Sequence, residues 1–231
     1  MINQMKAENF RLWKRKGNFF VALALFALNF IFAYQKWALI KDMDEILALV
    51  VGDASFQIVI SLCVAWFVGS EFNERTIQNE LKLGYSRSSV LFVRFLYSGL
   101  LAVFLHISFI LGAYAGVAFK YGIELSGIKL DSLIWLLVVL LQVVTSQSFT
   151  LFIVFLLKRA LAAMVAATLL SLVACNILRN FMGSKIFTLS CFCLAQNKGQ
   201  TTLLASALYA IATLIIVMAV TYLVFRKADM G

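Results

Sequence analysis

Six apolar runs, each long enough to cross a lipid bilayer, leave this chain little room for any other fold. A hydrocarbon core about 30 Å thick is crossed by roughly 20 residues of helix. Hydrophobic residues make up 63% of the 231 residues, more than a soluble fold of this size can bury. We therefore predict one all-α integral membrane domain over residues 1–231, with six transmembrane helices at about 18–38, 46–69, 89–119, 133–157, 160–178 and 203–225.

A basic and aromatic segment precedes the first run. Residues 8–20 read "ENFRLWKRKGNFF", which mixes bulky aromatic side chains with four bases. That mixture is typical of a helix lying in the headgroup layer, with its bases toward anionic lipid. We predict an amphipathic N-terminal interfacial helix whose partner is membrane lipid. No small-residue cleavage site follows the run, so we interpret it as an uncleaved first span.

Positive charge is unevenly divided between the connections. Most Lys and Arg lie in the N-terminal segment, in the second-to-third connection, after the fourth run and at the C-terminus. Because basic connections stay in the cytoplasm, we predict a multi-pass cell-membrane protein with both termini and residues 69–88 in the cytoplasm. The bases follow the ends of runs rather than one face of a domain, which argues against nucleic-acid binding.

Groups that carry chemistry are scarce. The one histidine, His106, has no acidic or cysteine neighbours for a zinc site, so a helix-packing hydrogen bond is favoured. Cys191 and Cys193 are separated by one residue, a poor spacing for a relaxed disulfide, and we interpret them as free thiols. There is no HExxH, GxSxG or P-loop motif. We predict no catalytic residues, no metal and no cofactor in this chain.

Polar side chains inside the runs form a stripe and a cluster. Asp53, Gln57 and Ser61 share one helical face of the second run. A stripe of this kind is compatible with a translocation path or with helix-to-helix bonding, and both interpretations stay open. In the fourth run packing is favoured for a polar cluster made of Gln142, Thr145, Ser146, Gln147 and Ser148.

Small residues mark two further helix faces. Gly112 and Gly116 form a GxxxG step in the third run, which allows close approach of a neighbouring helix. The fifth run has a low-relief face that suits a contact between helices or between subunits, built from Ala162, Ala163, Ala166 and Ala167.

Between the second and third runs lies the charged stretch "GSEFNERTIQNELKLGYSR", residues 69–87. Residues 71–82 predict a short helix parallel to the membrane, with Ile77 and Leu81 as one apolar ridge. Gly84 is expected to end this helix, and a serine of "YSRSSV" to cap the next one. Because both junctions are tight, the helix would transmit a push to both spans.

This stretch resembles the cytoplasmic connection of ABC-2 type transporter permeases, which commonly read G-x-E-F-x-x-G-T-I-x-N-x-L-x-x-G-x-S-R. The chain departs from that pattern at Arg75, where many members have Gly. It matches the pattern at Gly69, Glu71, Phe72, Thr76, Ile77, Asn79, Leu81, Gly84, Ser86 and Arg87. The basic-aromatic start and the six-run layout extend the similarity along the chain.

The resemblance implies a permease subunit without an ATPase site of its own. A separate ABC ATPase chain, carrying ATP and Mg, would dock on the second-to-third connection, which this family calls the coupling helix. A second permease copy, identical or related, would complete a homodimer or heterodimer. The contact residues that the resemblance implies are Glu71, Phe72, Thr76, Ile77, Leu81 and Arg87.

Apolar, aromatic walls with few buried charges favour an amphipathic or hydrophobic cargo, such as an antimicrobial peptide (bacteriocin), a lipid-like molecule or a drug. Export and self-protection both stay open. The alternative is an ATP-independent membrane immunity or sensor protein, which would share the spans but need no ATPase. An intramembrane enzyme is disfavoured because the chain lacks the residues it would need.

Overall fold

The computed structural model of the chain describes residues 2–14, 16–36, 56–122, 130–173 and 203–227. Within these ranges the chain forms helices joined by short turns, without a strand. The all-α class predicted from the sequence is therefore confirmed for this part of the chain. In chain order the helices are α1 (Ile2–Lys14), α2 (Lys16–Lys36), α3 (Phe56–Asn73), α4 (Thr76–Lys82), α5 (Arg87–Tyr121), α6 (Leu130–Leu157), α7 (Ala160–Val173) and α8 (Leu203–Lys227).

Four of these helices are long and apolar enough to cross a membrane. They overlap the predicted first, third, fourth and sixth spans, at Lys16–Gln35, Arg87–Lys120, Leu133–Leu157 and Leu204–Lys227. In the predicted second and fifth spans, the described parts are shorter apolar helices, Gln57–Asn73 and Ala160–Ser171. The fold is thus compatible with an all-α membrane protein, and the count of six spans stays a prediction. Asp53, Cys191 and Cys193 lie outside the described residues.

Helices α3, α5 and α6 pack against one another at the centre of the described fold. Helix α2 lies along α5, α7 lies along α3 and α8 lies along α6. The outer helices α2 and α8 keep large apolar side chains on their free faces, for example Phe20 at 69% and Ile215 at 63% exposure. Apolar faces of this size are stable next to lipid rather than water, which accords with the membrane assignment.

Both glycines of the GxxxG step lie against the first span. A Cβ on Gly112 would stand 2.3 Å from the Phe26 carbonyl oxygen, and one on Gly116 would stand 2.5 Å from the Phe30 carbonyl oxygen. Beside them Asn29 donates a buried hydrogen bond of 2.8 Å from Nδ2 to the Phe109 carbonyl oxygen. The close helix approach predicted from the sequence is confirmed, and it joins α2 to α5.

The alanine face of the fifth run contributes to a contact within the chain. Ala163 and Ala167 are fully buried, whereas Ala162 is exposed. At the start of α7 the approach is so close that a Cβ on Gly69 would stand 2.7 Å from the Ala160 Cα. The buried part of this face has a helix-to-helix role, between α3 and α7, and a contact between subunits through its exposed part stays a prediction.

The predicted helix over 71–82 is divided. Residues up to Asn73 continue α3, and a turn at Glu74 and Arg75 separates them from α4. The break lies at Arg75, whose φ of 57° is left-handed. The other turn signals are confirmed: Gly84 has a φ of 87°, and the Ser86 hydroxyl caps α5 by accepting from the Ser89 backbone N–H. Backbone bonds from Tyr85 N–H to the Glu80 oxygen and from Gly84 N–H to the Leu81 oxygen complete a Schellman ending.

Candidate functional site

A buried cluster of opposite charges lies beside α4, and we call it the Arg94 cluster: Glu8, Arg11, Glu71, Glu80 and Arg94. The Arg94 side chain is 0% exposed. Its Nε donates to Glu71 Oε2 at 2.8 Å, while Nη1 and Nη2 donate to the two carboxylate oxygens of Glu80, each at 2.7 Å. Its Nη2 also lies 3.3 Å from Glu8 Oε1. One guanidinium therefore contacts carboxylates from three other helices.

Arg11 supplies the second positive charge. Its Nη1 donates to Glu8 Oε1 at 2.9 Å and lies 3.9 Å from Glu71 Oε1, and its side chain is 34% exposed. Three carboxylates thus face two guanidinium groups, which leaves one excess negative charge in a poorly hydrated place. Glu71 follows the predicted second span, and burial raises the pKa of its carboxyl to about 7, with Arg94 opposing and Glu8 reinforcing the rise.

Hydrogen bonds from uncharged side chains surround the Arg94 cluster and connect α1 to α4 and α5. Gln4 donates from Nε2 to Glu80 Oε2 at 3.2 Å, and it accepts at Oε1 from the Ser89 hydroxyl at 2.7 Å. The Tyr97 hydroxyl donates to the Met5 carbonyl oxygen at 2.7 Å. The inward face of α1 therefore carries polar groups with defined hydrogen-bond partners on α4 and α5. Helices α1, α3, α4 and α5 meet as one interlocked unit.

The sequence-predicted contact residues divide into two groups. Glu71, Phe72 and Ile77 are buried, at 1%, 6% and 0% exposure. Thr76, Leu81 and Arg87 are partly exposed. The buried three cannot reach a partner without rearrangement, so they act from within by shaping the end of α3 and the seat of α4. That an ATPase docks here stays a prediction.

Two of these residues fasten helices to each other. The Phe72 ring meets the Phe155 ring edge-on at 5.3 Å, and Phe155 in turn meets Phe225 at 4.8 Å. Arg87 donates from Nη1 to the Phe225 carbonyl oxygen at 2.7 Å and also to the Arg226 carbonyl oxygen. Helices α3, α6, α8 and the start of α5 are therefore joined at the same end of the molecule.

The exposed face of α4 and its following turn is formed by other side chains. Asn79 and Lys82 are exposed, and Leu83 is 78% exposed. Leu83 therefore offers an apolar knob next to polar and charged side chains on this face. This surface, rather than the buried ridge of Ile77, is available for docking.

The polar stripe of the second run is buried between helices where it is described. Gln57 and Ser61 are 1% and 2% exposed. Ser61 accepts from Gln147 Nε2 at 3.5 Å, and Ser171 Oγ lies 3.3 Å from its hydroxyl. Serine and glutamine thus join α3, α6 and α7, which is the packing role. The path role proposed for Asp53, Gln57 and Ser61 stays a prediction.

The polar residues of the fourth run are also internal. All five are at most 4% exposed, and Thr145 Oγ1 lies 3.3 Å from the Ala210 carbonyl oxygen of α8. Buried His106 differs from expectation, because neither ring nitrogen has a hydrogen-bond partner among the described residues. Within the described part of the chain no group of His, Cys, Asp or Glu is arranged to hold a metal ion.

Sequence reasoning missed the centre of the site. Arg94, Glu8 and Glu80 were not predicted to meet. A signal was present, since Arg94 lies within an otherwise apolar helical run. Ionisable residues in such runs are costly and indicate a partner.

Comparison with known proteins adds no relative. No protein-family model, no curated protein and no solved structure matches the chain. The resemblance to ABC-2 permeases is therefore carried by the residues of the 69–87 motif.

Proposed function

We propose that this chain is the permease subunit of an ATP-driven ABC exporter. It would move an amphipathic or hydrophobic cargo (an antimicrobial peptide, a lipid-like molecule or a drug) out of the cell, with a separate ATPase supplying the work. Support comes from one observation above all: the short helix α4 is tied through Glu80 to the buried Arg94 of α5, and through Arg94 to α3 and α1.

In this proposal α4 acts as a rigid lever between the ATPase and the spans. Its two bonds from Arg94 to Glu80 form a fork, which resists rotation as well as separation. Ile77 seats the inner face, and the turn at Gly84 leads directly into the capped start of α5. A displacement of α4 would therefore move α5 and α3 together instead of being absorbed by a loop.

The proposed exporter has further parts besides this chain. A second permease copy and six spans per chain would enclose the path, with both termini in the cytoplasm. ATP and Mg would bind the partner ATPase, because this chain contains no P-loop. The cargo preference rests on the apolar, aromatic spans.

The test is co-purification with a surface variant of α4. The tagged chain should bring down an ATPase that hydrolyses Mg-ATP and carries a P-loop. Leu83→Glu should reduce that recovery at least about tenfold, because a charge replaces the apolar knob at the centre of the contact. Leu83 is 78% exposed, so the variant should keep its fold. Lys227→Glu, also on an exposed residue, is the matched control and should leave recovery unchanged.

The outcomes separate the alternatives. Recovery of the ATPase by both variants would show that α4 is not the docking surface. If the chain protects cells or responds to a signal and no ATPase co-purifies with it, the alternative applies: an ATP-independent membrane immunity or sensor protein. Ile77→Glu is a poor test, because it places a charge on a side chain that is 0% exposed and would disrupt the fold.

A further inference from the structure

An apolar groove opens between α1, the start of α2 and the middle of α5. It encloses about 340 Å³ and is lined among others by Leu12, Trp13, Phe19, Val103 and Phe104. The three rings form a mutual cluster, with centroid separations of 5.5 Å for Trp13–Phe19, 6.3 Å for Trp13–Phe104 and 5.8 Å for Phe19–Phe104. Because its lining is almost entirely aliphatic and aromatic, the groove suits a hydrocarbon chain.

A basic depression continues this groove along the outer face of α1. Lys6, Phe10 and Lys14 line it, and it shares Asn9 and Trp13 with the groove. Trp13 Nε1 donates to Asn9 Oδ1 at 2.9 Å, so the two N–H groups of the Asn9 amide are not used in that bond. The Lys14 ammonium lies 4.7 Å from the Phe10 ring centroid. Apolar and basic surfaces therefore meet at one boundary.

The positive charges of α1 lie on two different faces of the helix. Arg11 is drawn inward by Glu8, whereas Lys6 and Lys14 stay exposed on the outer side. No carboxylate of the described residues forms an ion pair with either lysine. Two exposed ammonium groups without a carboxylate partner among the described residues, and an amide donor, thus lie beside an apolar groove; together they are complementary to a phosphate joined to an acyl chain.

We propose that the groove and the depression form one binding site for a single anionic phospholipid. The acyl chain lies in the groove, against Leu12, Val103 and the edge of the ring cluster, and the phosphate lies against Lys6, Lys14 and the Asn9 amide. A neutral lipid would fill the groove without pairing with the lysines, and a soluble phosphate would pair with the lysines without filling the groove. The bound lipid fills the space between α1 and α5, so it stabilises the interlocked unit around Arg94. This inference rests on the membrane setting and not on the proposed transport.

The test compares lipids and variants on the purified full-length chain. Binding of phosphatidylglycerol and phosphatidylcholine is measured by titration and native mass spectrometry. We expect one tightly held phosphatidylglycerol per chain. The variant K6Q/K14Q should bind it about 30-fold more weakly, since each basic residue near an anionic lipid contributes roughly a factor of five. The control K82Q/K227Q removes two exposed bases elsewhere and should stay within about twofold of the unmodified chain.

Two further arms test the groove itself. Val103→Trp places a large ring in the groove and should weaken both lipids, while soluble glycerol phosphate should show no saturable binding. Equal affinity of the chain for the two lipids, or equal loss in K6Q/K14Q and K82Q/K227Q, would overturn the proposal. So would full binding by Val103→Trp, or glycerol phosphate binding as tightly as the lipid. A failure here leaves ATPase recovery untouched, so the two proposals are tested separately.

Discussion

Replacing Arg94 with leucine should be among the most damaging single changes in this chain. The guanidinium makes contacts of 2.7 to 3.3 Å with Glu71, Glu80 and Glu8, and its side chain is 0% exposed. Breaking a buried ion pair typically costs about 3–5 kcal/mol, because the remaining charge is left uncompensated. Here Glu71, which is 1% exposed, loses its main counter-charge, and Glu8, also 1% exposed, keeps only Arg11. We therefore expect a loss near the upper end, about 5 kcal/mol.

A graded series separates charge from geometry. Arg94→Lys keeps the positive charge, but an ammonium cannot reproduce the planar fork that holds both oxygens of Glu80. We expect a loss of about 2 kcal/mol, intermediate between the unmodified chain and Arg94→Leu. The double variant Arg94→Leu with Glu71→Leu removes a stranded carboxylate and should recover part of the loss.

Thermal unfolding in detergent micelles and limited trypsin digestion measure these effects. For a chain of this size about 1 kcal/mol corresponds to 2–4 °C, so Arg94→Leu should lower the midpoint by roughly 10–20 °C. Release of α1 should also speed trypsin cleavage after Lys14 and Lys16, because a protease cuts a loosened segment faster than a packed helix. The exposed Arg226→Leu is the control and should change neither readout.

An Arg94→Leu variant that unfolds within about 2 °C of the unmodified chain would refute the stabilising role of Arg94, since a loss of about 5 kcal/mol should shift the midpoint several times further. A double variant with Glu71→Leu that is no more stable than the single variant would show that the uncompensated carboxylate is not the source of the loss.

Three further changes follow from the backbone and from the charge balance, each read out as the unfolding midpoint. Gly112→Ala should cost about 1–3 kcal/mol because its Cβ would stand 2.3 Å from the Phe26 oxygen, whereas Gly99→Ala, with 3.6 Å to Val144, should be neutral or stabilising. Arg75→Gly should raise the midpoint by about 2 °C, because a left-handed φ of 57° is strained for arginine; an unchanged or lower midpoint would show that the strain is relieved otherwise. Burial raises the pKa of Glu71 to about 7, so the folded state holds this proton more tightly than the unfolded state and loses stability as the pH rises toward 7. The unfolding midpoint should therefore be higher at pH 6 than at pH 8, and Glu71→Gln should shrink that difference.

Features set by neighbouring residues could be predicted from the sequence. Gly84 ends α4 and Ser86 caps α5 because both signals act within one helical turn. The GxxxG step predicted close approach, since two missing side chains on one face leave a shallow groove wherever the partner comes from. The sequence did not identify α2 as that partner, because the step itself carries no information about it.

The Arg94 cluster could not be predicted in the same way. Its carboxylates come from α1, α3 and α4, and their meeting depends on the packing of all three against α5. Residue spacing within one helix does not report such a meeting. For the same reason the burial of Ile77 within this chain was not predicted from the sequence, and its contact with a partner stays a prediction.

The length of α5 explains how an apolar chain accommodates this cluster. Its 35 residues span about 52 Å, whereas the hydrocarbon core is about 30 Å thick. At the start of the helix Arg94 and Tyr97 bind the polar face of α1 and the end of α4. In the proposed permease the excess length would lie at this end, so the charges would be in the interfacial layer, with α1 between them and lipid. Farther along, the same helix carries Gly112 against α2. One continuous rod thus joins the proposed docking surface to the packing of the spans, so a displacement of α4 has a direct route into the membrane.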